Sequence, residues 1–152
     1  MLPNIFCYEI HSWLRPYLLG CRPFFAVVDC LDLLGQFVNG MASLEALELA
    51  QHKAARLANS HAGSKSIDGC GHAAVSATYA VAKAVEGTAI EAASYAAYAT
   101  VYAQGGYAAV ADRGLFEPEF AWQVASLDAL AARLASNAQA ATRHPSPARC
   151  GR

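Results

Sequence analysis

Five histidines (His11, His52, His61, His72, His144) and five cysteines (Cys7, Cys21, Cys30, Cys70, Cys150) are the residues with the readiest chemistry in this chain. A di-iron helical bundle needs Glu-x-x-His on two helices, and the sequence has no such tetrad. Glu48 and His52 stand one helical turn apart, close enough to share a ligand. The same spacing describes an ordinary surface pair worth a few tenths of a kcal/mol. Neither H-E-x-x-H nor C-x-x-C occurs, which excludes the motifs of zinc proteases, zinc knuckles and thioredoxin-like redox sites. No metal and no cofactor is expected.

Cys70-Gly71-His72 is the closest approach to a nucleophile and a base. A thiol at a helix start is acidified, but the flanking residues match no cysteine-enzyme signature, and no catalytic residue is assigned. His72 also reads as a polar residue at a helix start touching a neighbouring helix. Gly63-Ser64-Lys65-Ser66 lacks the G-x4-G-K-[ST] spacing and the preceding strand of a phosphate loop. Tyr95, Tyr98 and Tyr102 lie at i, i+3 and i+7, a stripe of rings whose hydroxyls want water or a partner. With Tyr79 and His72 they form the candidate partner-facing or pocket-facing set. Tyrosine is enriched at protein interfaces, whereas in the core the same stripe would pack on a neighbouring alanine-rich helix.

These side chains are carried by helices. The chain has 152 residues, and 34 are alanine, the residue with the highest helix propensity. Apolar residues at Ile5, Phe6, Ile10, Trp13, Leu14 and Tyr17 predict a first helix over residues 4–19. A second, over 23–38, has Asp29, Asp32 and Gln36 as its one polar edge and stops at Asn39-Gly40. Ser43 caps a third helix running to residue 60. Residues 61–69 are a glycine- and serine-rich loop. An alanine-rich helix follows over 70–86, and Gly87 divides it from another over 89–104, which Thr88 and Glu91 would open as a capping box. A short helix over 107–112 precedes a last one from Pro118 to about residue 141. There Phe120, Val124, Leu127, Leu130, Ala131 and Leu134 make a stripe expected to face the core. No alternating segment or hairpin turn predicts a strand.

The fold expectation is all-α, a compact bundle of about six or seven helices with a closely packed alanine-rich pair. Residues 1–141 form one domain and residues 142–152 a disordered C-terminal tail. Eleven Lys and Arg against twelve Asp and Glu leave no basic excess to hold a phosphate backbone, so nucleic acid is not an expected partner. The longest uncharged stretch, residues 92–111, is alanine and tyrosine interrupted by Gly105-Gly106, a poor match to a membrane span. The odd, unpaired cysteine pattern fits reduced thiols in the cytoplasm.

The order of several features resembles a known family. Arg22-Pro23, Ala26-Val27, Asp29, Phe37-Val38-Asn39-Gly40 and Ala42-Ser43-Leu44-Glu45, then Gly71-His72-Ala73-Ala74 and the alanine- and tyrosine-rich 92–103, resemble the bacterial immunity-protein-five-like domain. The resemblance covers about residues 7–104. It implies a non-enzymatic, protein-binding chain that neutralises a cognate toxin. A second copy of the chain is a further candidate partner. The alternative is a small helical enzyme or ligand-binding bundle with a pocket around Cys70, His72 and the tyrosine stripe.

Overall fold

The computed structural model describes residues 25–60 and 69–143. The expected helix over 4–19, all of the expected 61–69 loop but Gly69, which opens a helix, and nearly all of the tail lie outside them. The described residues hold five α-helices and no strand: α1 (Phe25–Val38), α2 (Leu44–Ser60), α3 (Gly69–Glu86), α4 (Ala89–Gly105) and α5 (Glu117–Arg143). Between α4 and α5 the chain makes two 3-10 turns, Tyr107–Ala111 and Arg113–Phe116. The all-α class is as expected, and the described residues account for five of the expected six or seven helices. The short α-helix expected over 107–112 is a 3-10 turn, because Gly106 (φ 71°) breaks the α-ladder behind it and Asp112 stops it by turning extended.

Two boundaries are closed by the same device. At the end of α1, the Met41 N–H donates to the Gln36 carbonyl and the Gly40 N–H to that of Phe37, at 2.8 and 3.0 Å. At the end of α3, Thr88 donates to Lys83 and Gly87 to Ala84, at 3.0 and 3.1 Å. Each is a Schellman ending that needs a left-handed residue, supplied by Gly40 (φ 73°) and Gly87 (φ 90°). Gly87 therefore ends α3 instead of bending a continuous rod. Ser43 caps α2 as its sequence suggests, its hydroxyl accepting from Ala46 N–H. Thr88 does not form the expected capping box. Its hydroxyl donates back to the Lys83 carbonyl, and Glu91 is taken by the Lys83 ammonium at 2.8 Å.

α3 and α4 form the central antiparallel pair. Ala77, Ala80 and Ala84 of α3 and Ala92, Ala96 and Ala99 of α4 are all buried. A methyl group covers little area, so their effect is to let the two backbones approach. The larger side chains bridge the flank in one register: His72 against Tyr102, Tyr79 against Tyr95, Lys83 against Glu91. α1 adds Val27, Leu31 and Leu34 to this core, and α2 adds Leu47, Ala50, Ala54 and Ala58.

α5 departs most from expectation. Leu130 is buried and Leu134 packs on the core, but Phe120, Val124 and Leu127 are 46%, 58% and 43% exposed. The residues turned inward at this end of the helix are Glu119 and Gln123. The helix is anchored at Phe116, buried in the preceding turn, and by the Gln123 amide, which donates to the Ala93 carbonyl of α4 at 3.0 Å. Successive side chains on a helix differ by about 100°, so fixing Gln123 on α4 turns its neighbour Val124 away.

Candidate functional site

The rings of α3, α4, the turns and α5 join into one run. His72 stacks on Tyr102 with centroids 5.0 Å apart and planes 22° from parallel, and it lies 5.0 Å from Tyr107. Tyr102 continues to Tyr98 at 6.2 Å, and Tyr98 meets the edge of Phe116 at 5.1 Å and 79°. Phe116 stacks on Phe120 at 6.0 Å. Val124 and Leu127 extend the line along α5 at helical spacing. These separations suit stacked and edge-to-face pairs, each worth about 0.5–1.5 kcal/mol beyond area burial. The band is partly wet: Tyr98 is 43% exposed and Tyr107 65%.

Of the five residues singled out from sequence, His72, Tyr98 and Tyr102 belong to this band. Tyr79 and Tyr95 do not. They stack on each other at 5.1 Å further along the α3–α4 pair. Tyr79 also borders a groove of about 470 Å³ between α2 and α3, with His52, Asn59 and Lys83 among its other walls. Tyr107, Phe116 and Phe120 are members that sequence reasoning missed. Two sit in or beside short turns with no periodicity, and the spacing of Phe120 with Val124 and Leu127 reads as a core-facing stripe.

Three ionisable groups are perturbed along these surfaces. Burial pushes the Tyr102 hydroxyl above its ordinary value, with Tyr107 and Tyr98 adding to the effect. Lys83 is held protonated by its hydrogen bonds to Glu91 and then Glu86. Burial raises the Glu119 carboxyl, against which hydrogen bonds from the Gln123 and Thr100 side chains act. Glu119 Oε1 accepts from Gln123 Nε2 at 2.9 Å, whereas Oε2 has no hydrogen-bond partner among the described residues. The buried His72 Nε2 also has none.

An enzyme built on these residues would need a nucleophile, His72 and a carboxylate to converge. His72 is flanked by tyrosine rings, and the Cys70 side chain lies outside what is described. No cluster of three His, Cys, Asp or Glu side chains that could hold a metal ion occurs among the described residues. Cys30 is a buried free thiol that donates to the Ala26 carbonyl, and burial raises it, with Lys53 acting against this. A raised thiol is a poor nucleophile. Among the described residues no helix is long and apolar enough to cross a membrane. No protein-family model, curated protein or solved structure matches the chain.

Proposed function

We propose that this chain is a non-enzymatic protein-binding domain whose contact surface is the aromatic band and the outer face of α5. The observation that carries the reading is the unbroken run from Tyr107 to Phe120, continued by the exposed Val124 and Leu127. The exposed parts of Tyr98, Tyr107 and Phe120 alone amount to on the order of 300 Å². Leu115, Val124 and Leu127 enlarge the patch to a size at which monomer surfaces are often functional. Rings anchored on one another lose little side-chain freedom on binding, and tyrosine is among the residues that dominate interface energies.

The resemblance to immunity domains makes a toxin the partner to try first, with neutralisation taking place in the cytoplasm. The test is genetic. Expressing the adjacent gene alone should arrest growth, and co-expressing this chain should restore it. A Tyr107→Ala/Phe120→Ser variant should fail to restore growth while keeping the wild-type melting temperature. An adjacent gene without effect on growth would remove the toxin from the proposal. Rescue undiminished by the variant would remove the band.

A further inference from the structure

α5 is turned against its own sequence. At its first three turns the helix buries Glu119, only 3% exposed, and Gln123, while presenting Phe120, Val124 and Leu127 to water. A carboxylate placed there must replace its hydration with hydrogen bonds or a cation. It has little of either. Gln123 supplies one N–H to Oε1 and spends the same nitrogen on the Ala93 carbonyl. Thr100, the other polar side chain beside it, has one proton to divide between the carboxyl and the Ala96 carbonyl, 3.1 Å from its oxygen. Oε2 finds no partner among the described residues.

Among the described residues the surroundings hold no compensating charge. α4 offers Ala93, Ala96 and Thr100, with the titratable Tyr98 lying against Phe116. The turn before α5 carries Arg113 and α5 itself carries Glu117, both exposed. What sets the acidity of Glu119 is burial and its two hydrogen-bonding neighbours.

We propose that Glu119 is a pH-sensitive latch: α5 stays docked on α4 while Glu119 carries its proton, and loosens when that proton is lost to solvent. The helix has somewhere to go. Rotation by about one residue, roughly 100°, would bring Phe120, Val124 and Leu127 inward and carry the carboxylate to water. The latch would thus govern how much of the apolar face is open. It goes beyond the partner-binding reading and stands or falls independently of it.

The direction follows from linkage. The docked state binds the proton more tightly than the released one, whose value is about 4.3 for an ordinary glutamate. Docking is therefore fully favoured below that value and is lost as pH rises through the elevated one. The test compares melting temperatures of the wild type and Glu119→Gln at about pH 4.5 and about pH 8. Other titrating groups are common to both proteins and cancel in the difference. The advantage of Glu119→Gln over the wild type should be several degrees larger at the higher pH, on the scale of about 2–4 °C per kcal/mol for a domain of this size. An advantage that is the same at both values, or larger at the lower, overturns the latch. A second readout needs no Glu119 variant. In a Trp13→Phe background Trp122 on α5 is the remaining tryptophan, and its emission should shift to the red as pH rises over this range. Emission that does not change overturns the proposal as well.

Discussion

Replacing Ala84 by leucine tests the close approach of α3 and α4. Ala84 has no exposed surface and lies in the main core cluster. A leucine there brings three further carbon atoms, whose burial would be favourable by roughly 2 kcal/mol if space were available. If the backbones are as close as the buried alanines imply, there is none. The side chain must then leave its preferred rotamer or push the helices apart, at a net cost of about 1–3 kcal/mol. Alanine and leucine differ little in helix propensity, so local preference does not blur the result. Ala138→Leu, on the exposed end of α5, serves as the control and should stay within about 0.5 kcal/mol of wild type. Melts followed by far-UV circular dichroism should place Ala84→Leu about 2–12 °C below it. Equal melting temperatures, or a higher one for Ala84→Leu, would mean that the helix pair has room, and that alanine is there for propensity rather than contact.

Three further outcomes follow from the same geometry. Gln123→Leu removes the amide donor to Glu119 Oε1 and the tie to Ala93, and denaturant unfolding should show a loss of about 1–3 kcal/mol. Lys83→Ala breaks ion pairs with Glu86 and Glu91 whose side chains are substantially exposed, so it should cost less than about 1 kcal/mol, and less still in high salt. Elemental analysis of purified protein should find no stoichiometric zinc or iron. One metal per chain, lost on mutating His72, would favour a ligand-binding bundle over a binder.

The sequence announced the helices well where a single residue decides a boundary. Asn39-Gly40 and Gly87 are visible because a left-handed residue after a helix is nearly always glycine, and Ser43 because its hydroxyl has one obvious use. Thr88 and Glu91 misled for the opposite reason: two uses compete, and Lys83, one turn back on the neighbouring helix, takes the carboxylate. The α5 stripe shows a deeper limit. Periodicity says that Phe120, Val124 and Leu127 share a face, but not which way the face points. That depends on Phe116 and on the Gln123–Ala93 hydrogen bond, contacts made across the fold. The site was half legible on the same grounds. Tyr98 and Tyr102 share one helix face and His72 opens the helix opposite. Tyr107 and Phe116 join them from turns whose course no local pattern encodes.

Protein binding by the aromatic band and the outer α5 face can be measured in cells. It is tested most directly by comparing what three tagged forms retain from cells of the source organism, quantified by mass spectrometry: wild type, Tyr107→Ala/Phe120→Ser on the band, and Ile90→Ser at a highly exposed residue on α4 outside it. One protein should be retained in near-stoichiometric amount by wild type and Ile90→Ser and lost from the band variant. Retention of the same proteins by all three forms, or of none by wild type, would contradict it.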